Sequence, residues 1–354
     1  MSEPLRMEFS EASVVHCDES QSAAWDAYLN TAPDASFYQL YGWNRINKDH
    51  FSHQVYNLAA YENGKMVGVF PLVYIKSRLF GKILCSMPFV NFGGPCANSP
   101  AIEKKLLNAA IEIANRNNVD YLELRLTRIV DVALPTTQHK ISMTLDLAAN
   151  PDDIWNNFNT KHRTNIRRVY KNDVEVRTGH KTLVDDFYYV MSESWRSLGT
   201  PIYRKKYFEA ILEEFPENTL IFVCYHKSNI PIAAAFNGYY KGTVEGMWAG
   251  GIDKYRNLQA NYALYWDMIK HACEQGYQSY HLGRSSVNSG GEQFKKKWNA
   301  NSKQLYWQYY LNKQAALPEL NVNNPKYQLA IKAWQKLPTK ITTMIGPLVA
   351  KNIP

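Results

Sequence analysis

The order of predicted elements repeats once along the chain, and this repeat constrains the fold more strongly than any other feature. The first half predicts two alternating strands about an Asn-Gly turn, a helix over Ala101–Arg116 and a closing strand YLELRL. The second half predicts two strands about Ser228-Asn229, a helix over Ala260–Gln275 and a closing strand YHLGRS. Duplication of one α/β unit explains this order, and coincidence between two ordinary α/β halves is the alternative. We predict an α/β (α+β) fold with two tandem domains, each a mixed twisted sheet flanked by helices.

The length of the chain agrees with this division. Its 354 residues fit two domains of about 150 to 170 residues, each large enough to bury a core of its own. We place an N-terminal domain at residues 1–145, a C-terminal domain at 146–315 and a separate tail at 316–354.

A basic segment begins the second domain. Its apolar residues recur at roughly helical spacing and predict one helix, with the stripe Ile154, Trp155, Phe158, Ile166 and Val169. Arg163 and Arg167 are four residues apart and can act together, as can Arg168 and Lys171. Arg163, Arg167 and Arg168 are candidates for contact with an acceptor or a nucleic acid, and a solvated charged face is the alternative.

Charge and cysteine content narrow the classes of partner and site. Forty Lys and Arg against 32 Asp and Glu give a net charge of +8, which favours acidic partners such as RNA, nucleotide sugars or an anionic membrane surface. The five cysteines show neither CxxC nor a Cys/His metal spacing, so we predict no disulfide framework and no metal site. An acidic N-terminus and the lack of an apolar run of about 18 residues predict a cytoplasmic protein, either in solution or at the inner face of the cell membrane.

The segment His281–Trp298, HLGRSSVNSGGEQFKKKW, is the strongest candidate site. It leaves a strand, crosses a Gly/Ser loop and enters a run of three lysines closed by tryptophan. Strand ends and helix N-termini of an open α/β sheet direct free backbone donors into one crevice. Arg284, at such a strand end and followed by Ser285, can bind a phosphate or carboxylate in a bidentate manner. The pattern predicts a site for an anionic substrate.

Five segments together resemble a known family: FNTKHRTNIRRVYKNDVEV, SLGTPIYRKKYF, IAAAFNGYY, WAGGIDKYRNLQANYALYWDMI and HLGRSSVNSGGEQFKKKW. They are similar to the FemAB-like branch of the GNAT acyltransferase superfamily, and more narrowly to FemAB-related proteins encoded beside exosortase and exopolysaccharide genes in Gram-negative bacteria. The resemblance extends from about Phe37 to Tyr310 and is strongest after residue 150. It implies two GNAT-like domains in tandem and the transfer of an acyl or aminoacyl group to an amine.

The resemblance assigns the donor channel to the strand EGMWAGG. GNAT folds polarise the donor carbonyl with backbone groups where two central strands separate beyond a β-bulge. Gly250 and Gly251 would let the backbone approach a ligand closely, and simple turn glycines are the alternative. Trp248 and Tyr255 flank these glycines and would form walls of the channel, whereas core filling is the bland alternative for the aromatic residues of this half.

The loop after this strand departs from the acetyltransferase pattern. Typical acetyltransferases have a basic residue or glutamine followed by two spaced small residues, whose amides cradle the pyrophosphate of coenzyme A. This chain has Arg256 followed by Gln259 and Asn261, so close backbone approach to pyrophosphate is harder. FemAB-like enzymes show a similar loss and use aminoacyl-tRNA. Acyl-coenzyme A and aminoacyl-tRNA are therefore the two candidate donors, and we expect no tightly bound cofactor.

The lysine run corresponds to a family segment in which lysine meets the donor or the acceptor phosphates. Phe294 and Trp298 would bury one side of this segment and leave Lys295 and Lys297 near the crevice, and a solvated run is the alternative. Where the family commonly has Asp-Phe-Gly-Arg-Ser, this chain has His281 in place of the acid. His281 and Lys295 are the catalytic candidates, although strand alternation makes an inward core position for His281 an alternative.

The tail has a character of its own. Residues 326–354 place Leu329, Ala333, Trp334 and Leu337 on one helical face and lysines on the other, with Pro338 ending the helix. The tail either packs over the core or lies on anionic lipid as a basic amphipathic segment.

Two functions of different classes follow. The first is an N-acyltransferase, FemAB-like, that acts on an amine of a cell-envelope or exopolysaccharide precursor, with tRNA or acyl-coenzyme A as the donor carrier. The second is a non-catalytic GNAT-fold protein that serves polysaccharide enzymes as a binding platform. No sequence feature indicates an oligomeric state.

Overall fold

The computed structural model describes residues 12–78, 80–227, 229–318 and 325–353. The described helices are α1 (Ser22–Thr31), α2 (Gly42–Phe51), α3 (Pro100–Arg116), α4 (Pro151–Asn157), α5 (Thr160–Tyr170), α6 (Val184–Leu198), α7 (Lys205–Glu214), α8 (Asn261–Glu274), α9 (Gly290–Lys296), α10 (Pro325–Lys336) and α11 (Thr339–Ala350). The described strands are β1 (Ser13–His16), β2 (Gln54–Glu62), β3 (Lys65–Ser77), β4 (Gly81–Cys85), β5 (Cys96–Ala97), β6 (Tyr121–Leu126), β7 (Thr136–Thr137), β8 (Lys140–Asp146), β9 (Val174–Gly179), β10 (Thr219–His226), β11 (Ile230–Tyr240), β12 (Thr243–Gly251), β13 (Ser279–Ser286), β14 (Asn301–Gln304) and β15 (Tyr306–Leu311).

The strands form two mixed sheets of the same design. The first sheet has the order β1-β2-β3-β4-β6-β15-β7, with β5 paired to β3, and the second has the order β14-β8-β13-β12-β11-β10-β9. Each sheet contains one parallel pair, β4 with β6 and β12 with β13. A helix, α3 or α8, crosses over between the two strands of each pair, as parallel pairing requires. The predicted α/β fold of two tandem domains is confirmed.

Local signals in the sequence account for the repeated unit. Asn63 and Gly64 both have positive φ angles, 50° and 74°, as expected for the tight turn that joins β2 and β3. Both crossover helices begin and end within one residue of their predicted bounds. Of the second predicted turn, Ser228 lies outside the described residues, and the strands on either side of it, β10 and β11, pair as an antiparallel hairpin.

The basic segment at the start of the second half forms two helices instead of the predicted single one. The backbone at Phe158 is extended, with ψ of 144°, and ends α4. Asn159 then caps α5, because its side-chain oxygen accepts a hydrogen bond from the backbone N–H of His162 at 2.9 Å. The predicted apolar stripe still faces the core, since four of its members are buried: Ile154, Phe158, Ile166 and Val169.

Two strands lie in the sheet of the opposite half. β8 lies in the predicted N-terminal domain except for its last residue, Asp146, but pairs with β13 and β14 in the second sheet. β15 lies in the predicted C-terminal domain but pairs with β6 and β7 in the first sheet. The predicted boundary at 145/146 therefore separates both strands from the sheets to which they belong. Alternation of apolar residues identifies a strand but not its partner, which is why the sequence pattern missed this exchange.

The two halves share one apolar core. A single cluster of buried side chains includes α1 and α2 of the first half together with α6 and α7 of the second. At its centre the ring of Phe37 lies 5.0 Å from that of Phe215 and 5.5 Å from that of Trp43. A side chain at Gly238 would clash with Phe37, because an added Cβ would come within 2.5 Å of that ring. This shared core fixes the side of the first half that faces the second sheet.

The tail packs on α6. Arg196 donates through Nη1 to the carbonyl of Gln335 at 2.9 Å, and Gln335 donates back to the carbonyl of Ser197 at 2.9 Å. The helix end predicted at Pro338 agrees with the break between α10 and α11, whereas Leu329, predicted on the packing face, is 77% exposed. In the described parts of the chain, no helix is long and apolar enough to cross a membrane.

Candidate active site

β12 and β13 run parallel for three residue pairs and then separate. The last pair joins Glu245 to His281. β12 also carries a β-bulge at Met247, where its register with β11 shifts between Phe236 and Asn237. Beyond the bulge, β12 pairs with β11 alone, so the backbone groups along its other edge face an open gap. The sequence-based expectation of a bulged strand beside a separating strand therefore matches the structure.

The gap opens into a cavity of about 820 Å³ between the two halves of the chain. Tyr38 and Asn91 of the first half line one side of it. Aromatic side chains line much of the remainder: Trp195, Tyr203, Trp248, Tyr265 and Phe294. Three cations also line it, Lys140, Arg284 and Lys295, and Ser285 lies beside them. No Asp or Glu is among the described residues of this lining. The cavity therefore combines an anion site with an aromatic channel.

Lys295 is the most deeply buried of the three cations. Its side chain leaves only 8% of the residue exposed, and Nζ donates to the carbonyls of Gly283 at 2.8 Å and Arg284 at 3.0 Å. Burial, followed by repulsion from the Arg284 guanidinium, lowers the pKa of Lys295 from 10.5 to about 7. A neutral amine can keep both hydrogen bonds and still direct its lone pair elsewhere, whereas the protonated form has a third hydrogen to donate.

Arg284 and Arg125 lie against the same tryptophan but differ in their partners. Their guanidinium carbons are 5.8 Å and 5.9 Å from the Trp307 ring centre. Buried Arg125 donates to Glu123 at 2.7 Å. Arg284 instead donates to the backbone carbonyl of Asn91 at 3.3 Å, and no ion pair with a carboxylate is found for it in the described chain. Burial and repulsion from Arg125 lower the pKa of Arg284 to about 10. Arg284 is thus a cation available to an anionic ligand.

Lys140 is a site residue that the sequence-based prediction missed. It begins β8, the strand placed in the wrong half by the predicted boundary, and it donates from Nζ to the Ser286 hydroxyl at 2.7 Å. Burial, followed by repulsion from Arg284 and Arg125, lowers its pKa from 10.5 to about 8. The signal that could have found it is the pairing of β8 beside β13, which no local pattern reveals.

His281 lies in a buried network that does not line the cavity. Its Nδ1 is 2.6 Å from Oε2 of Glu245, and its Nε2 has no hydrogen-bond partner in the described chain. Tyr38 lines the cavity and lies near Glu245. Its hydroxyl accepts a hydrogen bond from Asn91 at 2.7 Å. Burial and the Glu245 carboxylate raise the pKa of Tyr38. The general-base role of His281 stays a prediction.

Comparison with known proteins identifies the part of the chain that carries the separating strands. Residues 156–296 match the family described as an acetyltransferase (GNAT) domain. The match covers 141 of the 354 residues, and it includes both separating strands. No curated protein sequence matches the chain.

Solved structures share the fold over most of the chain. The crystal structure of FemX aligns with a TM-score of 0.65 at 16% identity, covering 90% of this chain and 100% of that chain. The C-terminal domain (DUF2156) of a putative lysylphosphatidylglycerol synthetase from Agrobacterium fabrum aligns with a TM-score of 0.55 at 13% identity, covering 82% and 92%. A tandem GNAT protein from the clavulanic acid biosynthesis pathway aligns with a TM-score of 0.51 at 8% identity, covering 86% and 100%. At these identities the likeness concerns the fold, which is that of tandem GNAT domains.

The predicted donor loop of the GNAT domain does not line the cavity. Tyr255 and Arg256 belong to a short 3-10 helix, Asp253–Leu258, and the Arg256 side chain is 85% exposed beside Asp253 at 3.5 Å. Asn261 is the exposed first residue of α8. These three residues therefore stay candidates for a donor contact outside the cavity.

At Gln259 the backbone of this loop has a conformation typical of glycine. Gln259 has φ of 55°, in the left-handed region that glycine adopts most easily. Its side-chain oxygen accepts from Nη2 of Arg168 at 2.6 Å. The side chains of Gln259 and Arg168 thus lie over the loop where the acetyltransferase pattern has only backbone.

The remaining predicted cations point away from the cavity. Lys297 follows the last residue of α9 and is exposed, so only one of the two favoured lysines lines the cavity. Arg167 lies over the Trp155 ring at 5.1 Å, and Arg163 is half-buried on α5. The structure brings together four predicted residues: Trp248, Arg284, Ser285 and Lys295.

The two glycines of β12 differ in what surrounds them. A Cβ added at Gly250 would lie 2.5 Å from Oγ and 2.9 Å from Cβ of Ser194 on α6, whereas at Gly251 the nearest atom is 3.4 Å away. The close approach at Gly250 is thus made by a helix of the protein. We expect Gly250→Ala to lower the free energy of unfolding by about 1 to 3 kcal/mol through overpacking.

Gly251→Ala is the matched control for this change. We expect it to alter the free energy of unfolding by no more than about 0.5 kcal/mol, since the added methyl group meets only ordinary contacts. Urea unfolding of both variants measures the difference. Equal losses of stability in the two variants would contradict a packing role specific to Gly250.

Proposed function

We propose that this protein is an N-acyltransferase that moves an acyl or aminoacyl group to an amine of an anionic cell-envelope or exopolysaccharide precursor. The observation that carries the proposal is the cavity at the separating strands, with three cations and no carboxylate in its described lining. A carboxylate- or phosphate-bearing acceptor neutralises Arg284 and Lys140, which have only neutral hydrogen-bond partners among the described residues. The cavity also contains buried Lys295, whose pKa is lowered to about 7, and this favours a transferase over a binding platform.

The geometry supplies the parts that acyl transfer needs. The amine nitrogen attacks the donor carbonyl carbon, and the carbonyl oxygen gains negative charge until the thioester or ester bond breaks. Backbone groups on the unpaired edge of β12 beyond Met247 can stabilise that charge. Neutral Lys295 can accept the proton that the attacking amine loses and pass it to the leaving thiolate or alkoxide. The proton lost by the amine is thus the one gained by the leaving group, and no further reactant is needed.

The donor is proposed from the loop before α8. Gln259 carries a side chain where a pyrophosphate cradle has glycine, and Arg168 is held beside it. This arrangement favours aminoacyl-tRNA over acyl-coenzyme A, and the exposed arginines of α5 would then meet the tRNA backbone. The resemblance to FemAB-related proteins supports the same donor, an exopolysaccharide precursor as acceptor and a cytoplasmic site of action.

Parallel titrations of the two donors test the proposal. Purified protein is titrated in a calorimeter with acetyl-coenzyme A and, separately, with a pool of charged tRNAs. We expect saturable binding of charged tRNA that weakens as salt is raised, with little heat from acetyl-coenzyme A. Micromolar binding of acetyl-coenzyme A would reassign the donor while keeping the transferase. Absence of binding by both would overturn the proposal.

A further inference from the structure

α11 has one buried face and one exposed face. One face is buried against the protein through Thr342, Gly346 and Ala350. The opposite face exposes three apolar side chains at spacings of three and four residues: Ile341 at 39%, Met344 at 69% and Leu348 at 56%. We call these three residues the outer stripe. An exposed apolar stripe of this kind on a helix indicates a surface that contacts a membrane or another molecule.

The charge around the outer stripe has one sign. Residues 325–353 contain five lysines and no Asp or Glu. Lys340 lies one turn before Met344, and Lys351 lies three residues after Leu348, so both flank the stripe. Apolar side chains bordered by lysines match the interfacial region of a bilayer with anionic lipid.

A second cavity adjoins this face. It has a volume of about 260 Å³ and is lined by Leu348 and Lys351 of the tail together with Arg204 and Lys206. Asp49 and His50 of α2 face it from the first half, so its described lining has three Lys or Arg side chains against one carboxylate. A cavity of this size and charge beside an apolar stripe suits the phosphate of a phospholipid whose chains run along the stripe.

We infer that α11 docks the protein on the surface of a bilayer that contains anionic phospholipid, with a headgroup phosphate in this second cavity. The outer stripe enters the interfacial region and the flanking lysines meet the lipid phosphates. Ala350 and Ile353, at the end of the same helix, line the main cavity. Docking therefore brings the mouth of the main cavity to the membrane surface, independently of which donor or acceptor it holds.

Sedimentation with vesicles tests this inference. The full chain is mixed with vesicles of phosphatidylcholine alone or with about 30% phosphatidylglycerol, at low and high salt. We expect pelleting with the anionic vesicles, reduced by salt, and little with the neutral ones. Met344→Ser/Leu348→Ser is expected to lose about tenfold in partitioning, because both side chains leave the stripe. Lys340→Glu/Lys206→Glu is expected to lose binding to anionic vesicles as well.

Val132→Ser is the matched control, since Val132 is an apolar residue 94% exposed in the loop between β6 and β7. It should pellet like the wild type. Failure of the wild type to pellet with anionic vesicles would overturn the inference, as would undiminished binding by the stripe variant. A wild type that is dimeric in solution, becomes monomeric on changing the stripe and ignores lipid would show that a second copy covers α11 instead.

Discussion

Lys295→Met is expected to reduce the rate of acyl transfer by about 10² to 10⁴-fold while the protein stays folded. Methionine keeps most of the apolar volume of the lysine side chain and removes the amine that donates to the carbonyls of Gly283 and Arg284. Without it, the attacking amine loses the buried neighbour, with a pKa lowered to about 7, that would receive its proton. Release of deacylated tRNA or of coenzyme A, with whichever donor binds, measures the rate.

The pH dependence distinguishes a proton acceptor from a purely structural lysine. Because the pKa of Lys295 is lowered to about 7, the neutral form grows as pH rises through 7, and the wild-type rate should rise with it to a plateau. The residual rate of Lys295→Met should lack this limb. A variant that loses rate but keeps the wild-type pH profile would contradict the role in proton transfer.

Stability changes with pH in a direction that the same pKa fixes. Above pH 7 the folded protein has released the Lys295 proton, whereas the unfolded chain holds it up to about pH 10.4. The unfolded state therefore binds more protons in this window, and the wild type gains stability relative to Lys295→Met as pH rises from 7 towards 10. Urea unfolding at pH 7 and pH 9 measures this difference.

Lys297→Met is the matched control for the transfer rate and for its pH profile. Lys297 lies two residues further along the same segment, is exposed and does not line the cavity. Its replacement should leave the transfer rate within a factor of about two and the pH profile unchanged. Equal loss in the two variants would show that the charge of the whole lysine run matters, and not the position of Lys295.

The sequence was sufficient to predict the repeated unit but not the connection of its sheets. The Asn-Gly turn, both crossover helices and both closing strands follow from local signals, because turn chemistry and hydrophobic period act within a few residues. The exchange of β8 and β15 depends on contacts between distant segments. β15 reaches β6 across about half the chain, and the alternation of Trp307, Gln308 and Tyr309 in its sequence does not indicate which strand it pairs with.

The candidate site divides in the same way. Arg284, Ser285 and Lys295 come from one continuous segment, so a motif could identify them together. Three other residues line the cavity because the two halves pack together and exchange strands: Lys140, Tyr38 and Asn91. Their spacing in the sequence does not predict that they lie together. Lys297 shows the limit of a helical argument, since α9 covers only Gly290–Lys296 and leaves this residue at its end.

Arg284→Met is expected to raise KM for the acceptor by about 100-fold with a small effect on kcat. A hydrogen bond between charged groups contributes about 1.5 to 3 kcal/mol, and Arg284 has no carboxylate partner in the described protein that could take its place. The same change should stabilise the free protein, because it removes a partly buried cation beside Arg125 whose pKa is already depressed. Initial rates against acceptor concentration and thermal unfolding give the two readouts.

Arg125→Met is the contrasting variant. The guanidinium carbon of Arg125 lies 5.9 Å from the centre of the Trp307 ring, against 5.8 Å for Arg284, but Arg125 pairs with Glu123. Its loss leaves the Glu123 carboxylate buried without its partner, so we expect destabilisation by about 3 to 5 kcal/mol. Opposite signs of the stability change in two arginines that share one tryptophan would separate the ligand-binding cation from the structural one. Destabilisation of both would mean that Arg284 is held by the protein itself, and the anion site would have to be sought at Lys140.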